Sequence, residues 1–231
     1  HISNTLGCCN PIEEIAALAH AVGAMVLVDA CQSLAHKSIA VQSLGADFLV
    51  GSSHKLCGPT GMGFLWASEQ TLMAMPPFLG GGEMIQEVFL DHSTWAELPH
   101  KFEAGTPAIG EAIGMGAAIT YLQTLGLDAI QAWEAELTTH LFGRLQSING
   151  LRILGPTPEQ QPERGALATF VVEDVHANDI AEMLDLAGVC IRSGHHCCQP
   201  LHRLYGVTGS ARASLSFCTT HAEIDRFADD L

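Results

Sequence analysis

The chain has 231 residues, a formal net charge of −15 and 48% hydrophobic residues, so it can bury a substantial core. The negative charge argues against nucleic acids and anionic membrane surfaces as partners, because both are bound through an excess of Lys and Arg. No uncharged apolar run reaches about eighteen residues, so we expect no transmembrane helix.

The first elements predict an α/β fold. Asn10 and Pro11 are typical of a helix start, with Asn10 as the cap, Pro11 in the first turn and Glu13 completing a capping box, and Gly23 is a natural stop. The continuous apolar run 24–30 predicts a strand buried on both faces, as in a parallel sheet covered by helices. Further strands are expected at 47–53 and 61–67.

The second half of the chain changes character. Residues 111–150 have helical patterning, and short strands then alternate with helices up to the end of the chain. We therefore predict a large α/β domain over 1–129 and a linker helix with a smaller α+β domain over 130–231.

The cysteines and the start of the chain bear on its origin. Eight cysteines without regular spacing do not resemble a disulfide framework, so we expect reduced thiols and a cytoplasmic location, or an organellar stroma or matrix. The first residues contain neither a Met nor a signal peptide, and we expect the chain to be part of a longer protein.

Asp29 and Lys55 each follow a predicted parallel strand, where ligand crevices of α/β sheets lie. Taken alone, Asp29 fits a helix cap and Lys55 a solvated loop. Taken together they are what a pyridoxal phosphate enzyme needs: an amine for the cofactor aldehyde, and an acid that keeps the ring nitrogen protonated. On this interpretation both side chains are partly desolvated, and Ser52 and His54 donate to the phosphate.

The segment "RSGHHCCQP" (192–200) combines His and Cys residues. Its spacing does not suit a structural zinc site, and we expect no bound metal. A cysteine near Arg192 and two histidines fits a thiolate nucleophile, although the residues alone do not decide between Cys197 and Cys198. Arg212, among small residues, fits either an ion pair with an Asp or a clamp on a substrate carboxylate.

Seven motifs, in order, resemble the class V, fold-type I pyridoxal phosphate family, and within it the Suf/Csd-type (group II) cysteine desulfurases. They extend over essentially the whole chain, and "RSGHHC" is the element that favours group II. The motifs are "HISNTLG", "VDACQS", "SSHKLCGPTGMGFLW", "FLGGGEMI", "FEAGTP", "RSGHHCCQPL" and "ARASLSF".

The resemblance implies a role for individual residues. Lys55 is similar to the lysine that binds the cofactor aldehyde, and Cys197, directly after His-His, to the persulfide-forming cysteine. The remaining correspondences are Asp29 to the ring nitrogen, Gln32 to the ring hydroxyl, Ser52 and His54 to the phosphate, Thr106 to the phosphate of the neighbouring subunit of a homodimer, and Arg212, Asn4 and Arg192 to the substrate. Cys198 departs from the commoner pattern.

The function implied by the resemblance is removal of sulfur from L-cysteine, or selenium from L-selenocysteine, with L-alanine as product. A persulfide then passes to a Suf/Csd-type acceptor for iron–sulfur cluster assembly. Two alternatives remain open from the residues: another class V enzyme such as an aminotransferase, which needs Lys55 and Asp29 but not Cys197, and a metal-binding module that uses the His/Cys cluster.

Overall fold

The computed structural model describes residues 1–231, which divide into two units. The first unit comprises Pro11–Ala35 and Ile39–Thr124, and the second comprises His1–Asn10, His36–Ser38 and Leu125–Leu231. The predicted domains, 1–129 and 130–231, stay a prediction. None of the helices combines the length and the apolar character needed to cross a membrane.

The first unit mixes helices with two small sheets. The strands β1, β2 and β3 form one sheet in that order, with β1 parallel and β3 antiparallel to β2, and β4 and β5 form an antiparallel hairpin. Its elements are α1 (Ile12–Ala21), β1 (Leu27–Asp29), β2 (Phe48–Ser52), β3 (Gly63–Ala67), α2 (Glu69–Ala74), β4 (Ile85–Val88), β5 (Ser93–Trp95) and α3 (Ile109–Leu125), whose last residue belongs to the second unit.

Two local predictions for this unit are corrected. Pro11, not Asn10, is the N-cap of α1, because the Asn10 side chain instead donates to the carbonyl of His1 at 3.1 Å. The strand β1 is buried on one face only: Val28 is 2% exposed and packs with Leu49, whereas Leu27 is 57% exposed. An apolar run therefore marked a buried strand without marking which of its faces is covered.

The second unit is built on a four-stranded antiparallel sheet of order β6-β7-β9-β8. Its apolar core packs between this sheet and helices α4, α5 and α7, with Phe142 and Phe170 at its centre. This is the α+β arrangement expected from the sequence. Its elements are α4 (Leu127–Gln146), β6 (Leu151–Leu154), β7 (Leu167–Val172), α5 (Ala177–Leu186), β8 (Arg192–Gly194), α6 (Gln199–Leu204), β9 (Ser210–Ser214) and α7 (His221–Asp230).

The first ten residues are bound to the rest of the second unit through backbone and side-chain hydrogen bonds. The amide of Gly165 donates to the carbonyl of Gly7 at 2.7 Å, and the Gln161 side chain pairs with both backbone groups of Cys9. Asn4 is therefore held beside the sheet although it lies more than a hundred residues from it in sequence.

Candidate active site

Lys55 lies in a tight loop after β2. Ser53–Lys55 form a single 3₁₀ turn, in which the Ser53 carbonyl accepts hydrogen bonds from the amides of Leu56 (2.8 Å) and Gly58 (3.0 Å). A side chain at Gly58 would place its Cβ 2.3 Å from Ser53 Oγ, so a larger residue there would force the buried Ser53 to shift. The loop is thus fixed by backbone bonds and close packing, which sets the position of Lys55 at the strand end.

Asp29 ends β1, the strand parallel to β2, and lies opposite Val50 in the register. Its Oδ1 accepts from the Cys31 amide at 2.9 Å. Partial burial raises the pKa of the Asp29 carboxyl, but the Cys31 amide and thiol and the Lys55 charge outweigh it and leave the pKa below its usual value. The Lys55 charge therefore acts on the Asp29 carboxyl across neighbouring strand ends, and their shared role at one cofactor stays a prediction. Both residues are exposed, so the predicted desolvation is only slight for Asp29 and is not seen for Lys55.

The remaining predicted cofactor residues also lie in the first unit. Ser52 Oγ and His54 Nδ1 are 2.9 Å apart; Ser52 ends β2, and His54 lies within the turn that carries Lys55. Gln32 is partly buried three residues after Asp29, and Thr106 is exposed in the loop before α3. The structure brings Asp29, Lys55, Ser52 and His54 to one edge of the sheet, while the role of Thr106 stays a prediction.

Cys197 lies at the tip of a turn in the second unit. His196 and Cys197 both have left-handed backbone conformations, with φ of 50° and 61°, and the Cys198 amide closes the turn on the His195 carbonyl at 2.8 Å. Cys197 is exposed and Cys198 is partly buried, which distinguishes the two adjacent thiols. Asn4 Nδ2 donates to the His196 carbonyl at 2.8 Å, so Asn4 contacts the turn directly.

Arg212 and Arg192 lie directly opposite each other on β9 and β8. Like charges in such a pair repel, and neither guanidinium has a carboxylate partner. Arg212 instead donates from Nη1 to the Asn4 carbonyl (2.7 Å) and from Nε to Ser214 Oγ (3.1 Å). Burial, and then the Arg192 charge, lower the pKa of Arg212. Two facing cations next to Cys197 form a site that favours an anion.

The ion pair with an Asp that the sequence left open for Arg212 is therefore not formed. No group of three or more His, Cys, Asp or Glu side chains is arranged to hold a metal ion. Sequence reasoning also missed Arg164, which is 8% exposed and binds the carbonyls of Leu6 and Leu167, both at 2.8 Å. A buried Arg that binds only main-chain groups has no signature in sequence.

Comparison with known proteins places these residues in a family, since the aminotransferase class-V profile matches residues 1–227. The chain belongs to the aminotransferase class-V family. It is 60% identical over its whole length to a protein of Synechocystis sp. named "Probable cysteine desulfurase", and 43% identical over 99% of its length to the "Cysteine desulfurase" of Haloferax volcanii. It spans about half the length of the curated relatives it matches, 55% and 53% of these two.

Solved structures of cysteine desulfurases agree with the fold. The cysteine desulfurase CsdA of Escherichia coli superposes with a TM-score of 0.92 at 35% identity, covering 99% of this chain and 56% of that one. The apo cysteine desulfurase of Thermococcus onnurineus superposes with a TM-score of 0.94 at 36% identity, covering 99% of this chain and 57% of that one. The fold-type I prediction is confirmed.

Proposed function

We propose that the protein containing this chain is a pyridoxal phosphate-dependent cysteine desulfurase. The observation that carries the proposal is the exposed Cys197 thiol on a turn beside Arg212 and Asn4, because a thiol next to a carboxylate-binding group suits sulfur removal from an amino acid. An aminotransferase of the same family would have no use for that thiol. The names of the relatives support the same activity.

The donor groups of the first unit fit pyridoxal phosphate. Lys55 would bind the aldehyde, and Asp29, ionised because its pKa is low, would keep the ring nitrogen protonated. Ser52 and His54 would hold the phosphate, and Gln32 the ring hydroxyl. When bound, the cofactor stores the electron pair released at the substrate Cα. Thr106 would reach the phosphate in a partner subunit, which makes the proposed enzyme a homodimer.

The chain's own residues supply the remaining steps. Arg212 makes no hydrogen bond from Nη2 within the chain, so its two N–H groups there remain for the substrate carboxylate, with Asn4 and Arg192 beside it. Lys55, once its amine is free, would take the proton from the substrate Cα. The Cys197 thiolate then attacks the substrate sulfur: the S–S bond forms as the C–S bond breaks, the carbon side gains protons to become L-alanine, and Cys197 carries the persulfide.

The proposed partners follow from this chemistry. The persulfide sulfur would pass to an acceptor protein of the Suf/Csd type for iron–sulfur cluster assembly, and L-selenocysteine would enter by the same route. All eight cysteines are free thiols, which supports the proposed location in the cytoplasm or in an organellar stroma or matrix.

The test compares two adjacent thiols. With L-cysteine and a thiol acceptor, Cys197→Ala should keep the visible absorbance of bound pyridoxal phosphate and lose persulfide formation, whereas Cys198→Ala should retain both. Sulfide release at the wild-type rate by Cys197→Ala would contradict the proposal. Transamination that persists in Cys197→Ala, without sulfur release in the wild type, would favour the aminotransferase alternative.

A further inference from the structure

The turn that carries Cys197 needs support from its surroundings. Two consecutive non-glycine residues, His196 and Cys197, are left-handed, at a cost of about 1–2 kcal/mol each. One backbone hydrogen bond, from the Cys198 amide to the His195 carbonyl, offsets only part of this cost. Strained conformations persist only where neighbouring groups determine them, so the neighbours of this turn bear on the placement of the thiol.

A buried chain of side-chain hydrogen bonds starts at this turn and returns to it. His202 Nδ1 lies 3.0 Å from the Cys198 carbonyl, and His202 Nε2 lies 2.8 Å from Ser210 Oγ. The same Ser210 Oγ lies 3.1 Å from Nε2 of His196. The three side-chain residues are 2%, 0% and 8% exposed for His202, Ser210 and His196, so water does not compete for these bonds.

Each hydrogen bond between His202, Ser210 and His196 has a definite donor and acceptor. A carbonyl only accepts, so Nδ1 of the buried His202 donates its proton to the Cys198 carbonyl, and we assign Nε2 of the same ring as the acceptor. The Ser210 hydroxyl therefore donates to His202 and accepts from Nε2–H of His196. This leaves His196 Nδ1 as a lone pair, in agreement with its being a buried atom without a hydrogen-bond partner.

Electrostatics support the neutral form of His196. Burial, followed by the nearby charge of Arg212, lowers the pKa of His196 to about 4, and a hydrogen bond to Ser210 opposes the shift only in part. At neutral pH the His196 ring therefore keeps a single proton, and the hydrogen bond to Ser210 places this proton on Nε2.

We propose that His202 and Ser210 are positioning residues for Cys197: through His196 and the Cys198 carbonyl they hold the strained turn that presents the thiol. This rests on the proposed function, since the role of the turn is to bring Cys197 to the substrate sulfur. Neither residue has to contact the substrate or the cofactor.

Three variants remove different hydrogen bonds of Ser210 and His202. Ser210→Ala removes the central hydroxyl. His202→Asn keeps a donor for the Cys198 carbonyl and loses the Ser210 bond, whereas His202→Gln keeps the Ser210 bond and loses the donor. Ser193→Ala, on the neighbouring strand β8, is the matched control because its hydroxyl makes no bond in this chain of contacts.

The variants are compared in the pyridoxal phosphate-loaded protein by two measurements, the rate of persulfide formation and the hydrogen exchange of the Cys198 amide. In Ser210→Ala the rate constant for Cys197 persulfide formation should fall roughly tenfold, the equivalent of one lost buried hydrogen bond, with cofactor absorbance and KM for L-cysteine unchanged. Hydrogen exchange of the Cys198 amide should rise by a similar factor. His202→Asn and His202→Gln should each show part of both effects. Values for Ser210→Ala equal to those of Ser193→Ala would overturn the proposal.

A wild-type measurement keeps the proposal testable if a variant fails to fold. Long-range ¹⁵N NMR spectra should show His202 protonated on Nδ1 and His196 on Nε2, and the reverse assignment for either ring would refute the hydrogen-bond chain. The failure of the proposed function looks different: the wild type would form no persulfide on Cys197, while the tautomers and the Cys198 exchange rates would still follow the pattern above.

Discussion

Replacing Arg164 with Met should loosen residues 1–10 from the rest of the second unit. Arg164 is 8% exposed, stacks on the ring of Phe142 at 4.3 Å and donates to four main-chain carbonyls. Two of these bonds, to Leu6 and Leu167, measure 2.8 Å; the others go to Pro156 and, at 3.4 Å, to Gly165. Because Leu6 lies two residues after Asn4, the loss should reach the proposed substrate site.

Two opposing terms set the size of the effect. Three well-formed bonds from a charged donor contribute about 1.5–3 kcal/mol each. Against them, burial lowers the pKa of Arg164 to about 10, so its charge costs about 3 kcal/mol to bury, and Met would not carry that cost. The hydrogen bonds contribute more free energy than burial of the charge costs. Arg164→Met should therefore lower the free energy of unfolding by about 2–5 kcal/mol.

The assay combines chemical denaturation with hydrogen exchange and steady-state kinetics. Arg152→Met, at an exposed position of β6, is the control and should change stability by less than about 0.5 kcal/mol. Arg164→Met should also speed amide exchange within residues 1–10 and raise KM for L-cysteine. Stability and exchange equal to those of Arg152→Met would refute the reasoning that Arg164 anchors this segment.

Three further predictions concern stability. Lys101, 9% exposed, donates to the carbonyls of Leu72 and Met73 at the end of α2, so Lys101→Met should cost about 1–3 kcal/mol in urea denaturation; an unchanged midpoint would contradict this role. Thr220 caps α7 in a capping box, and Thr220→Ala should cost about 1 kcal/mol, against almost nothing for exposed Thr139→Ala. His196, with its folded pKa lowered to about 4, gains a proton on unfolding between pH 4 and 6.5. The free energy of unfolding of the wild type should therefore fall by up to about 3 kcal/mol as the pH drops through that window, and His196→Asn should weaken this pH dependence. The same pH dependence in the wild type and in His196→Asn would refute the prediction.

The sequence was sufficient for the parts of the site that short motifs encode. Asp29 and Lys55 follow two apolar runs that predict neighbouring strands, and in the structure those strands, β1 and β2, are parallel neighbours. Their exposure was missed, because an apolar run does not reveal which face of its strand is covered.

Other features depend on contacts between residues far apart in the chain. The support of the Cys197 turn comes from Ser210 and His202, and the anchoring of residues 1–10 comes from Arg164. Local patterns carry no information about such contacts, since each residue is ordinary in its own segment. The choice of Pro11 over Asn10 as a cap is similar, because it depends on the bond between Asn10 and His1.

Which lysine binds the cofactor is the most direct test of the account. The chain offers three: Lys55, Lys37 paired with Glu163, and Lys101 at the end of α2. Borohydride reduction of the pyridoxal phosphate-loaded protein, followed by peptide mapping, should find the cofactor on the peptide that contains Lys55 and on no other. Label on Lys37 or Lys101 with Lys55 unmodified would contradict the pairing of Lys55 and Asp29 around one cofactor.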